Sequence, residues 1–416
     1  MKSFCTPLLI CIGILTESSL FAADWNEFRG SLVEGRLPAI PDLPVTWDQN
    51  ESVGWRSEIP GEGWSSPVVA DGKIYLTTAI ATGENGYELC LLTINAETGD
   101  IDNRLSIFNE PADAPKIHKK NSHASPTPIV SRNSIFIHFG HQGTACVDRI
   151  SGEIVWKNDS LAYPPVHGNG GSPVLVENLL IFSRDGGKQA LVTALDQKSG
   201  KVVWETSRDA EVKRTFSFCT PLVFTDESGR RQLVIPGSNV VQSLDPATGE
   251  ELWRLRYDGY SVIPKPIRQA GLVFICTGYN TPSILAVDPN GNGDVTDSHL
   301  KWQSKTNIPH TPSLIGYDEK IYMVSDRGIA MCLAAESGEE LWKKRVGGNF
   351  SASPMLIGSN LYLLNEEGIC TVLDISGDKP REIAVNKLGE RSLASMAIIE
   401  SDLLLRTDKA LYRLTK

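Results

Sequence analysis

At 416 residues with 41% apolar side chains, the chain is long enough to bury a sizeable core. A formal charge of −10 and the lack of any long basic run exclude nucleic acid as the principal partner, because phosphate binding needs clustered Lys and Arg. Length alone suggests two or three average domains, but that prior fails if the chain is a repeat, since repeat folds grow without dividing.

The first element is a targeting segment. Lys2 supplies a short positive region, Phe4 to Leu15 is largely apolar, and Leu20-Phe21-Ala22-Ala23 offers small residues for cleavage, so residues 1–22 are expected to be a signal peptide. The apolar stretch is too short to span a bilayer, and Cys11 lacks the flank of a lipidation site. Export to the periplasm or the exterior is the expected destination. Residues 23–50 form a lead segment, and a propeller over 51–416 follows. Six cysteines lie beyond the leader. An exported chain can pair such thiols, yet Cys146 and Cys332 stand where other repeats place Ala194 and Ser243, so they read as small core residues. No CxxC or Cys-His spacing suggests zinc.

Val53 to Ile59 reads as a strand that precedes any complete unit. From Ser66-Pro67 onward one grammar recurs. A Ser-Pro or Thr-Pro mark opens an apolar strand at Ser66, Ser125, Ser172, Thr220, Thr311 and Ser353, with degenerate copies at Ile263-Pro264 and Ser395-Met396. The eight marks lie roughly 42 to 59 residues apart, the period of four-stranded propeller blades. Each unit then carries a turn such as Asp196-Gln197-Lys198-Ser199-Gly200 or Asp245-Pro246-Ala247-Thr248-Gly249. There Asp bonds the turn backbone and Gly supplies positive φ. A Trp falls four residues after the turn glycine in several units, at Trp156, Trp204, Trp253 and Trp342, positioned to pack between sheets. Four short strands cannot bury both faces alone, so the units must stack into a ring. The expected fold is an all-β, eight-bladed propeller of four-stranded antiparallel blades. Its last blade ends at Leu411–Leu414 without an outer strand and is completed by Val53 to Ile59, which removes an open edge. Seven blades remain the alternative if a degenerate mark opens no full sheet.

These motifs resemble the pyrroloquinoline-quinone-like propeller repeat shared by quinoprotein alcohol dehydrogenases and by the BamB lipoprotein. The resemblance extends to exported planctomycete-type proteins. The carrying segments are Asp24 to Gly30, Gly63-Trp64-Ser65-Ser66-Pro67, His118 to Ser122, Gly293 to Thr296, Ser325-Asp326-Arg327-Gly328 and Gly347 to Pro354. The resemblance implies a fold more strongly than an activity. It also raises a quinone cofactor with Ca²⁺. That pair wants cationic donors, an aromatic floor, oxygen ligands and an Asp base. The dehydrogenases of the family carry two adjacent cysteines and long insertions, and this chain has neither.

In an antiparallel meander the loops entering each mark share one face with the loops between the second and third strands. That face should carry Trp64, His123, His167, Phe218, Tyr260, His310, Phe350 and Arg391, with Arg184, Asp185, Asp326, Arg327, Glu366, Arg406 and Asp408 beside them. Concave centres of this kind are where ligands bind. Trp64, His123, His167, His310, Arg391, Asp326 and Arg327 are the ligand-binding candidates. The same residues equally suit a plug of aromatic rings and ion pairs holding the ring. The run Asp288 to Thr296 imitates a calcium loop at its first positions but has His299 where a bidentate Glu is required, so an elaborated turn is the simpler account. No hydrolase, metalloprotease or P-loop motif is present. The expectation is a monomeric, exported, non-catalytic propeller that binds a protein or small ligand on its central face. A quinone-dependent dehydrogenase and a BamB-like scaffold for outer-membrane protein assembly are the alternatives.

Overall fold

Alternating β-branched and polar residues between turn signals produce short strands, and their burial falls from the inside outward. The first strand is wholly buried in some units, as at Val68–Ala70 and Ala397–Ile399, whereas the fourth is largely exposed, as at Val202–Ser207. The computed structural model describes residues 25–30, 34–83, 86–210, 212–279 and 281–416, so the expected leader over 1–22 lies outside it. Eight antiparallel sheets follow in order around a ring: 68–110, 129–158, 174–207, 222–256, 267–304, 315–345, 355–387 and 397–414. Both degenerate marks open complete sheets, which removes the seven-bladed alternative. The eighth blade takes its outer strand from Val53–Glu58, paired antiparallel with Ala410–Leu414. The two ends of the chain thus share one sheet, and no blade is left with a missing strand.

Neighbouring blades are joined by a repeated tryptophan contact. Trp55, Trp156, Trp204 and Trp302 each donate Nε1–H to a carbonyl in the turn of the next blade, at Ala96, Gln197, Pro246 and Ala335, over 2.9–3.2 Å. The indole lies against that turn's glycine. At Gly200, φ is 67° and a Cβ would sit 2.4 Å from Trp156. Glycine is required there twice, for the left-handed backbone and for the close approach. The turn aspartates anchor the same loops: Asp196 accepts from the Ser199 amide and hydroxyl, and Asp245 from the Ala247 and Thr248 amides. All six described cysteines are free and buried, as their small-residue positions suggest, and burial pushes the Cys90 thiol up to about 12.

The calcium-like run is an elaborated turn between the third and fourth strands of the fifth blade. Its Gly293–Asp294 pairs in parallel with the outer strand of the fourth blade. The Arg230 guanidinium occupies its oxygens, donating to the Pro289 and Gly291 carbonyls and to Asn292 Oδ1 over 2.9–3.1 Å. Arg230 thus holds the turn, and one of its donors takes Asn292 Oδ1, the fifth position of the calcium-like pattern.

The lead segment threads the central channel. The carbonyls of Trp25 and Asn26 accept the amides of Val69 and Val130 on the innermost strands of the first two blades, each at 2.8 Å. Arg36–Leu37 then pairs in parallel with Leu356–Ile357 of the seventh blade. Backbone groups on the inner edges of these strands, which would otherwise face an open channel, are satisfied by this thread. Trp25, Asn26 and Gly35 thus bind the inner strands of three blades through their carbonyls.

Candidate functional site

The loops entering the marks and those between second and third strands enclose a cavity of about 710 Å³ at one mouth of the channel. Its wall is an arc of aromatic and imidazole rings. His118, His167, Phe216, Tyr260, Tyr279 and His310 meet in that order, edge to face, with centroids 5.3–5.8 Å apart. Such contacts each contribute about 0.5–1.5 kcal/mol and fix the arc's shape. The Arg214 guanidinium lies 4.4 Å over Tyr260. Trp64 stands in the remaining wall, with the Arg391 guanidinium 5.5 Å from its ring. Beside it Lys120 pairs with Glu366 at 2.7 Å.

The strain in the wall is local. His167 adopts φ of 67°, costly for a residue with a Cβ, and its carbonyl accepts the His118 amide and the Asn121 side chain at 3.1 and 2.9 Å. These bonds fold the excursion after the ten-residue strand Ile101–Glu110 back over the mouth. Asp326 is an anchor: it accepts the His310 and Thr311 amides at 2.6 and 3.4 Å and the Thr311 hydroxyl at 2.9 Å.

The floor is Phe28 of the lead segment and the hydroxyls of the marks. Backbone N–H groups and hydroxyls link consecutive blades. Ser66 N donates to Thr127 Oγ1, Thr127 N to Ser172 Oγ, and Ser172 N to Thr220 Oγ1, each at 3.0 Å. After a break, Lys265 N donates to Ser313 Oγ, Ser313 N to Ser353 Oγ, and Ser353 N to Ser395 Oγ at 2.9–3.1 Å. The belt is interrupted where Lys265 replaces a hydroxyl residue and where the eighth blade meets Ser66.

Among the candidates, Trp64, His167, His310 and Asp326 lie on the cavity wall. His123, Arg391 and Arg327 do not. In the second blade Thr127-Pro128 occupies the belt position, two residues beyond Ser125-Pro126, so Ser125 takes the place that Trp64 and Phe218 hold elsewhere. His123 consequently sits behind the wall, stacked on Tyr87 at 4.5 Å. Arg391 caps Trp64 from outside, with Nη2 3.3 Å from the Lys119 carbonyl. Arg327 is exposed beyond the anchor Asp326. Of the other rim residues, Phe350 is 1% exposed and Arg406 binds the Ser65 carbonyl and hydroxyl at 3.1 and 2.7 Å, holding the eighth blade to the first. Sequence reasoning left out His118, Lys120, Asn121, Arg214, Phe216 and Tyr279. A wider window upstream of each mark includes the first five, while Tyr279 carries no signal of its own.

His123 belongs to a second polar cluster. Glu110, 2% exposed, lies 3.3 Å from His141 Nε2 and 3.7 Å from His123 Nδ1. Burial pushes its carboxyl up, but the hydrogen bond with His141 and the nearby His123 imidazole outweigh this and hold it down at about 2. A depressed carboxylate contributes stability above its unfolded value near 4.5 and loses it as pH falls through the folded value. The expected contribution is on the order of 2–3 kcal/mol at neutral pH. Urea unfolding of wild type and Glu110→Gln should show that gap at pH 6 and less than half of it at pH 3; a gap independent of pH contradicts the assignment.

The residues present do not suit a quinone with calcium. Among the described residues no three His, Cys, Asp or Glu side chains converge as metal ligands. The one carboxylate on the wall, Asp326, already accepts three hydrogen bonds.

Ring, belt and cavity together define a propeller of the pyrroloquinoline-quinone-like class. The chain belongs to the outer membrane protein assembly factor BamB family, whose model matches residues 79–206, 141–278, 188–312 and 238–380, each match displaced by about one blade. BamB of Yersinia pestis is 21% identical over 213 residues, 47% of this chain and 51% of that protein, so the match spans about half of the relative. BamB of Moraxella catarrhalis superposes with a TM-score of 0.58 at 14% identity, over 86% of this chain and 96% of that one. The quinohemoprotein alcohol dehydrogenase of Comamonas testosteroni gives 0.64 at 11%, over 94% and 80%, and a europium-containing methanol dehydrogenase gives 0.66 at 11%, over 95% and 98%. At these identities the likeness is one of fold.

Proposed function

We propose that the chain is an exported, monomeric, non-catalytic propeller that holds its ligand, a small molecule or an exposed piece of a partner protein, in the central cavity. The observation that carries this reading is the cavity itself: about 710 Å³, walled by six interlocked rings and closed below by the lead segment. Absence of catalysis is supported by the donor set. Asp326, the wall's carboxylate among the described residues, is engaged as a backbone anchor, and the described cysteines are buried with raised thiol pKa values. Export is supported by the leader pattern over 1–22. A second reading, a scaffold for outer-membrane protein assembly, is favoured by the family match. In that reading the cavity face receives a segment of the partner.

The test is native mass spectrometry of the full chain purified gently from its own envelope. A discrete added mass or a stoichiometric partner is expected, and His167→Ala combined with Phe216→Ala should release it. Retention by the double variant, or an empty wild-type chain with no partner, contradicts the reading.

A further inference from the structure

We propose that the cavity is a receptor for a carboxylate, with the Ser/Thr belt as its binding floor. This rests on the central cavity being the ligand site and adds the chemical group that it takes.

A hydroxyl has one proton to give and two lone pairs to accept with. The belt hydroxyls of Thr127, Ser172, Thr220, Ser313, Ser353 and Ser395 each accept a neighbouring backbone N–H, and among the described residues none donates to a protein acceptor. Ser66 closes the same floor. It is 1% exposed, yet its Oγ has no hydrogen-bond partner at all. The floor therefore offers a ring of O–H donors aligned by the main chain, and buried donors left unpaired are costly.

The amide and carboxylate acceptors of the wall are engaged: Asp326 receives three bonds, and Asn121 Oδ1 receives the Ser122 amide and the Ser125 hydroxyl. A sugar or alcohol would have to use the remaining lone pairs of hydroxyls and imidazoles, whereas the unpaired groups of the floor are O–H donors. A carboxylate brings only acceptors, about four lone pairs on two oxygens.

Charge points the same way. Although the whole chain carries −10, Lys120 and Arg214 line the cavity, where Asp326 is the acidic side chain among the described residues. Behind the floor residue Phe28, the Arg29 guanidinium is 2% exposed and has no hydrogen-bond partner on any of its three nitrogens. A Cβ at Gly35 would lie 2.8 Å from Arg29 Nη2 and 3.2 Å from the Pro354 carbonyl oxygen, which sets that cation next to belt residue Ser353. Lys120 is paired to Glu366 and Glu34 lies near Arg29, so the exposed Arg214 is the cation left to meet one negative charge, and a dianion would meet heavier desolvation. The edge-to-face arc suits an unsaturated or aromatic body above the carboxylate.

Calorimetry on the full chain at pH 7 with benzoate and its neutral isostere benzamide tests this. Benzoate should bind at least tenfold more tightly. Ser66→Ala removes a buried hydroxyl that bonds nothing in the protein, so it should leave thermal unfolding unchanged or raise its midpoint, and it should weaken benzoate about tenfold or more without weakening benzamide. Arg214→Gln, exposed at the rim, gives an independent loss in the same direction. A Gly-Gly-Phe peptide with a free or an amidated end separates the two sources. Binding of the free-ended peptide as tight as benzoate assigns the chain end of a partner, and benzoate alone assigns a free small acid. Equal affinity for benzoate and benzamide, or indifference to both substitutions, overturns the carboxylate proposal and leaves the cavity as a ligand site. Binding of neither aromatic probe overturns both.

Discussion

Replacing Arg208 by Met should destabilise the chain by about 3–5 kcal/mol. Arg208 and Asp185 are 1% and 0% exposed at their side chains and pair through two bonds, Nη2 to Oδ2 at 2.8 Å and Nε to Oδ1 at 3.2 Å. The guanidinium also donates to the Ile235 and Pro236 carbonyls of the next blade at 2.7 and 3.3 Å. Burial already pushes the Asp185 carboxyl up against the opposing pull of Arg208. Without the arginine, a buried carboxylate keeps only the Ser217 hydroxyl, and two carbonyls lose a donor. Removing one partner of a buried pair costs far more than replacing both, so Arg208→Met with Asp185→Leu should recover much of the loss. Urea unfolding midpoints check this. A single-variant loss below about 1 kcal/mol would place the pair among ordinary surface bridges.

Trp55→Ala should cost about 3 kcal/mol and also loosen the ring at one seam. The other indole contacts are made from strands that a turn ties to their own blade. Trp55 sits in the strand that the start of the chain lends to the last blade, and it docks on the first blade through Ala96 O and against Gly99. That strand runs on through residues 59–67 into the first blade, but its hold on the last blade is only the pairing with Ala410–Leu414, which no hairpin turn backs up; without the indole contact the strand should fray from that pairing more easily, so unfolding should become less cooperative as well as easier. Trp156→Ala, in a strand that a hairpin turn ties to its own blade, should lower the midpoint without broadening the transition. Equal broadening in both variants would mean that closure has no special role.

The ring was legible because its signals are local. Asp-to-Gly turns, the following tryptophans and the Ser/Thr-Pro marks report a hairpin each, and their count gives the blades. The closing strand was legible from the unmatched pattern at Val53 to Ile59. The candidate site was legible only in part. Trp64, His167, His310 and Asp326 fall close to a mark or in the loop that anchors one. His123 and Arg391 sit near their marks and still miss the wall, the first because Ser125-Pro126-Thr127-Pro128 offers two registers and the structure uses the second. His118 and Lys120 come from an excursion whose path is set by the strained His167 carbonyl, a tertiary contact without a sequence signature. The thread through the channel was invisible for a similar reason: Trp25, Asn26 and Gly35 engage strands of distant blades through backbone atoms, which side-chain patterns do not encode.

The measurement that tests the cavity most directly is a crystal structure of the full chain grown with para-bromobenzoate, whose bromine is located by its anomalous signal. The account predicts one strong site inside the ring of Trp64, His167 and His310, with carboxylate oxygens about 2.7–3.0 Å from belt hydroxyls, Ser66 among them. A bromine on the outer surface with the cavity unoccupied, or a carboxylate turned away from the belt, would contradict it.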